Sequence, residues 1–193
     1  METTILQIVG VILGLLYLWL EYKVNVWMWV VGILMPIVQG TLYYDKGLYA
    51  DAAINVYYIF AGIYGLICWL YHAPSKSKKA VVPHSILKHD KKLIPYVIAS
   101  YIVIHVAIYL LLVNFTNSTV PICDSFTTAL SIVALWMLSR KYTEQWLVWL
   151  VVDVVTVGLY IYKDIPVTAS LYLLYSVLAI VGYREWNRLA KKL

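Results

Sequence analysis

Seven apolar stretches, each close to the length of a membrane-crossing helix, alternate with short polar breaks along this chain. They cover residues 4–20, 26–44, 49–71, 93–113, 124–140, 145–162 and 166–185. A helix needs about 20 mainly apolar residues to cross a hydrocarbon core roughly 30 Å thick. A membrane β-barrel would instead show shorter segments in which apolar and polar residues alternate, whereas these segments are continuously apolar. The pattern predicts an all-α integral membrane protein with seven transmembrane helices.

The breaks set organisation and orientation. All are short except 72–92, HAPSKSKKAVVPHSILKHDKK, a basic stretch with Pro and Ser that divides the helices three and four. Lys and Arg accumulate in cytoplasmic loops. The linker holds Lys76, Lys78, Lys79, Lys88, Lys91 and Lys92, the fifth-to-sixth connection Arg140 and Lys141, and the tail Arg184, Arg188, Lys191 and Lys192. With Lys23, all fall on one side of a seven-span topology. The N-terminus is therefore expected outside and the C-terminus in the cytoplasm. Met1-Glu2 places an acid where a secretory signal is basic, so no signal peptide is expected. The opposite side holds Asp45, Asp51, Asp124 and Asp164 against Lys46 and Lys163, an acidic outer mouth.

Composition narrows the class further. The chain is 63% hydrophobic and 13% charged, with a mean hydropathy of +0.78. Soluble domains carry about a quarter charged residues, so the surface here implies a lipid bilayer as partner. The net charge of +5 is sorted by membrane side, which gives no reason to expect a nucleic-acid partner. Cys68 and Cys123 lie near opposite membrane faces and are not expected to pair, and no Cys/His spacing suggests a metal. No phosphate-cradling glycine loop is present, so ATP does not drive this chain. No cofactor is expected. No nucleophile and base stand at an interpretable spacing, and His72, His84 and His89 belong in or beside the solvated linker.

An offset of 117 residues superimposes the chain on itself without a gap. Leu13 falls on Leu130, Leu18 on Leu135, Trp19 on Trp136, Trp29 on Trp146 and Tyr43 on Tyr160. Lys46 falls on Lys163, Ala52 on Ala169, Tyr58 on Tyr175, Gly65 on Gly182 and Trp69 on Trp186. Coincidences of Trp, Gly and Lys at one fixed offset carry more weight than those of Leu. Helices one to three thus repeat as five to seven. The fourth restores direction, giving a 3+1+3 arrangement of parallel repeats. The boundaries follow: 1–71 the first repeat, 72–121 the basic linker and connecting helix, 122–193 the second repeat and basic tail. Duplication for stability alone is the plainer reading. Parallel repeats about an axis along the membrane normal are also a transporter architecture, with the substrate site near mid-membrane.

The candidate site lies on the sixth helix. Trp146, Trp149, Asp153, Thr156 and Tyr160 are spaced by three or four residues and share one face. In the first repeat that face reads Trp29, Gly32, Pro36, Gln39 and Tyr43, so the halves diverge where a ligand would need asymmetry. The third helix adds Asn55 and Tyr58 with Gly62, and the fifth adds Asp124, Thr127, Thr128 and Ser131. Polar groups such as Asn55 and Ser131 can equally join helices by hydrogen bonds. Trp27, Trp69 and Trp186 fit an interfacial aromatic belt. Asp153 is harder to explain by packing. A carboxylate at mid-membrane costs roughly 2.5–3.5 kcal/mol even on the mild insertion scale, and His105 is the one basic candidate at comparable depth. Aromatic faces beside an acid suit a flat organic cation. A proton relay is the alternative, though it would want more titratable groups.

GLYADAAINVYYIFAGIYGLICWL (47–70), DSFTTALSIVALWMLSRKY (124–142) and EQWLVWLVVDVVTVGLYIYK (144–163) resemble the PnuC family of bacterial vitamin transporters. The resemblance extends over nearly the whole chain. It implies facilitated diffusion of a B-vitamin or its nucleoside across the bacterial cytoplasmic (inner) membrane, with a cytoplasmic kinase trapping the substrate. It places Trp146, Trp149 and Asp153 on the family's binding helix and Asn55 and Tyr58 as its polar pair. With Thr156, Tyr160, Trp29, Gln39 and Tyr43 these are the candidate substrate-binding residues. The implied substrate is nicotinamide riboside, a pyridinium. Thiamine, a thiazolium, is the rival, and neutral riboflavin fits less well. The remaining alternative is a membrane receptor or enzyme that binds a vitamin without moving it. A homo-oligomer stays open.

Overall fold

A computed structural model describes residues 2–45, 49–71, 94–116, 118–162, 164 and 166–191. The basic linker 72–92, Lys163, and the side chains of Tyr43, Asp45 and Asp51 lie outside the described residues. Among the described residues the chain forms seven helices: α1 (Glu2–Tyr22), α2 (Trp27–Asp45), α3 (Tyr49–Tyr71), α4 (Ile94–Phe115), α5 (Pro121–Ser139), α6 (Gln145–Tyr162) and α7 (Pro166–Ala190). The fold is an all-α membrane protein. Four described segments are long and apolar enough to cross a bilayer on their own: Ile54–Tyr71, Ile94–Phe115, Pro121–Ser139 and Gln145–Tyr162.

Two boundaries differ from the apolar pattern for local reasons. Helix α5 starts three residues early because Pro121 occupies its first turn, where the missing N–H costs nothing and the ring presets φ. Helix α7 continues past residue 185 to Ala190. There its polar end is helical, and Arg188 donates to Glu185 at 2.6 Å, one turn back.

The chain divides into two compact units, residues 1–84 and 85–193. In the first, α2 packs on α1 and on α3; in the second, α5 packs on α4 and α6, and α6 on α7. The turn closing α1 and the turn closing α5 have the same hydrogen bonds at the 117-residue offset. Val24 N–H donates to the Glu21 carbonyl at 2.9 Å and Asn25 N–H to Leu20 at 2.9 Å; Lys141 N–H donates to Leu138 at 2.9 Å and Tyr142 N–H to Met137 at 3.0 Å. Both are Schellman caps, which want a left-handed residue at the position after the helix. Val24 (φ 53°) and Lys141 (φ 58°) fill it, although glycine is the usual occupant.

That leaves strain in both turns, since the left-handed conformation costs an ordinary residue roughly 1–2 kcal/mol. Burial also holds the Lys141 ammonium below the usual lysine range. Lys141→Gly removes the backbone strain and the half-buried charge together. It should stabilise the protein by about 1 kcal/mol, read as a higher melting temperature in detergent. A lower melting temperature would show that the lysine's contacts outweigh the strain.

A second repeated device joins the last two helices of each unit. In the first, Trp29 on α2 meets Trp69 on α3 edge-to-face, ring centroids 6.0 Å apart at 78°. In the second, Trp146 on α6 meets Trp186 on α7 at 5.8 Å and 84°. All four indoles are buried. Under each ring lies a glycine, Gly65 beneath Trp29 and Gly182 beneath Trp146. A side chain there would enter the indole, so glycine is what lets each helix pair approach.

Candidate functional site on the sixth and seventh helices

Asp153 sits midway along α6 and is 6% exposed; Thr156, one turn on, is 8% exposed. Thr156 Oγ1 donates to the Val152 carbonyl at 2.7 Å. That satisfies its proton within the helix and leaves its oxygen able to accept. No Lys or Arg pairs with Asp153 among the described residues. One group near it is aromatic and comes from α7. Tyr175 lies within electrostatic reach of the carboxylate. Tyr172 meets Tyr175 edge-to-face at 5.7 Å and 74°, and Tyr160 of α6 stacks on Tyr172 at 5.5 Å and 17°. Ring contacts thus lead from Tyr175, beside Asp153, through Tyr172 to Tyr160.

The tryptophans divide. Trp146 is 3% exposed and packs into the Trp186–Gly182 contact, while Trp149, one turn nearer Asp153, is half-buried. In the first unit Trp29 has the same packed position as Trp146. Pro36 is buried at the position equivalent to Asp153, and Gln39 is exposed. Asn55 is buried, and the half-buried Tyr58 ring lies 5.5 Å from that of Tyr57. Tyr43 lies outside the described side chains.

The polar face of α5 is engaged locally. Ser118 Oγ donates to Asp124 at 2.6 Å, Thr127 and Thr128 donate to the Asp124 carbonyl at 3.2 and 2.7 Å, and Ser131 donates to the Thr127 carbonyl at 2.9 Å. Among the described residues no group of three His, Cys, Asp or Glu could hold a metal, and Cys68 and Cys123 are not joined in a disulfide.

Tyr172 and Tyr175 were absent from the sequence-derived site, yet a signal for them exists. At the 117-residue offset they are the counterparts of Asn55 and Tyr58, which the sequence did single out. Applying the repeat to the site as well as to the fold would have found them.

Chemically, the arrangement offers one carboxylate with no Lys or Arg partner among the described residues, a hydroxyl oxygen and a run of phenol rings. It holds no nucleophile–base pair.

Residues 4–188 match the family described as nicotinamide mononucleotide transporter. The nicotinamide riboside transporter PnuC of Escherichia coli (strain K12) is 23% identical over 207 residues, covering 97% of this chain and 87% of its own. The riboflavin/roseoflavin transporter RibM of Streptomyces davaonensis is 28% identical over 181 residues, covering 93% of this chain and 83% of its own. The crystal structure of the vitamin B3 transporter PnuC superimposes with a TM-score of 0.74 at 22% identity, covering 97% of this chain and 82% of that one. That superposition speaks for the fold.

Proposed function

The chain belongs to the PnuC family of membrane transporters, and from that premise we propose that it takes up a cationic B-vitamin, nicotinamide riboside first. The observation that carries the choice of a cation is Asp153: a buried mid-helix carboxylate with no Lys or Arg partner among the described residues, beside tyrosine rings. A charged residue within a membrane helix marks a substrate or ion path, and a flat pyridinium satisfies acid and ring faces together. The relatives named for nicotinamide riboside support that substrate. The riboflavin relative supports a neutral ring system, for which Asp153 would have no use.

Transport is facilitated diffusion, with a cytoplasmic kinase trapping the substrate by phosphorylation. The protein is multi-pass in the bacterial inner membrane, N-terminus outside and C-terminus in the cytoplasm. The two three-helix repeats, 1–71 and 122–193, act as parallel halves. The repeated turn and tryptophan geometry at the 117-residue offset supports this division.

Thiamine is the second reading, because its thiazolium meets the same acid and rings. Competition against labelled nicotinamide riboside in proteoliposomes separates the substrates. Nicotinamide riboside should compete at the lowest concentration, thiamine next and riboflavin last. Riboflavin competing best would overturn the cation assignment.

A further inference from the structure

The repeat cannot reproduce the Tyr160–Tyr172 ring stack in the first unit. The Trp–Gly contacts recur in both units, whereas the position equivalent to Tyr172 in the first unit is Asn55. The Tyr160–Tyr172 stack therefore belongs to the second unit, the one that holds Asp153. Both rings are half-buried, so neither is sealed in a core. Tyr160 lies two turns beyond Asp153, about 10 Å along the helix axis, on the same face of α6. From Tyr160 through Tyr172 to Tyr175, ring meets ring at 5.5 and 5.7 Å, and Tyr175 is within electrostatic reach of Asp153. A series of aromatic rings thus runs from the end of α6 that faces outside in the proposed topology to the carboxylate.

We propose that Tyr160 and Tyr172 form an aromatic clip, a second site that takes the flat cationic ring before it reaches Asp153. The clip rests on the cationic-vitamin reading above. The two rings are already near parallel, 17° apart, the geometry a planar ligand needs on both faces. A planar ligand between them needs two ring contacts of roughly 3.5 Å each, a separation of about 7 Å between the ring planes. The clip opens to load. Tyr160 stands in the last turn of α6, which ends at Tyr162, and helix ends yield at the lowest free energy. A cation over a phenol face is attracted by the ring quadrupole, most strongly where water is thin. The stack at the outer end catches the ring, and the negative charge of Asp153 draws it on.

A clip on the way in changes the rate of arrival without changing the final affinity. The test uses the full-length protein in liposomes with labelled nicotinamide riboside, comparing wild type, Tyr172→Leu, Tyr160→Leu and Tyr172→Phe. Initial flux at low substrate and equilibrium binding are both read, after size-exclusion and melting checks. The Leu variants should lose initial flux about tenfold, with binding within about twofold of wild type, and Tyr172→Phe should keep its flux. If Tyr172→Leu fails to fold, Tyr160→Leu at the helix end carries the same comparison. Normal flux in the Leu variants overturns the clip. So does a parallel loss of flux and affinity, which would make these rings part of the Asp153 site, or a loss in Tyr172→Phe equal to that in Leu. Wild-type protein that moves neither nicotinamide riboside nor thiamine overturns the vitamin reading and the clip with it. Normal wild-type transport matched by the Leu variants overturns the clip alone.

Discussion

Asp153→Asn should bind nicotinamide riboside roughly ten- to a hundredfold more weakly than wild type, because a hydrogen bond to a charged group contributes about 1.5–3 kcal/mol. The side chains are nearly the same size, so the buried site, 6% exposed, keeps its shape. What changes is charge. With the carboxylate gone, the helix no longer carries the cost of roughly 2.5–3.5 kcal/mol for an acid at mid-membrane, and the empty protein should melt at the same temperature or higher. Affinity and stability are then expected to move in opposite directions, a result general damage to the fold cannot give. Isothermal titration with nicotinamide riboside and a melting curve of the same sample provide both numbers. Unchanged affinity would remove Asp153 from the site, and lost stability would make it a structural residue.

Gly182→Ala should destabilise the protein, whereas Gly158→Ala should stabilise it. Both are helical glycines, and replacing such a glycine with alanine gains about 1 kcal/mol of helix propensity. They differ in what a new methyl meets. At Gly158 nothing lies within 4 Å, so the gain stands. At Gly182 the methyl carbon would lie 2.6 Å from the Trp146 ring. That ring cannot retreat freely, because it is held edge-to-face against Trp186, itself fully buried. Overpacking of this kind costs about 1–3 kcal/mol and should exceed the propensity gain, parting α6 from α7. Since Asp153 is on α6 and Tyr172 and Tyr175 on α7, uptake should fall as well. Melting temperatures of the two variants in detergent, measured side by side, check the prediction. A Gly182→Ala protein as stable as Gly158→Ala would show that the indole moves aside at little cost.

Much of this fold is legible because the bilayer demands it. With no water to satisfy backbone groups, an apolar stretch of sufficient length has to be helical, and the apolar pattern placed the helices within a few residues. The start of α5 and the end of α7 were less legible, because Pro121 and the Arg188–Glu185 pair act through local chemistry that hydropathy does not register. The repeat was visible in the tryptophans and glycines because a large ring over a glycine is a steric pair that neither helix can change alone. The site was less legible for the opposite reason. Asp153 announces itself by its cost, but tyrosine is common in this chain, with 18 residues, and helical spacing cannot tell which rings on a neighbouring helix will face the acid. Spacing on α6 also grouped Trp146 with Asp153, while the fold packs that indole against α7.

Tracer equilibration in sealed proteoliposomes tests the central claim most directly: labelled nicotinamide riboside, with and without an imposed proton gradient and with no ATP present. Facilitated diffusion requires that the internal concentration rise to the external one and stop there, gradient or not. It should exceed that level only when an ATP-supplied nicotinamide riboside kinase is sealed inside. Accumulation driven by the gradient alone would make Asp153 a proton-coupling group, and the absence of any protein-dependent uptake would contradict the assignment outright.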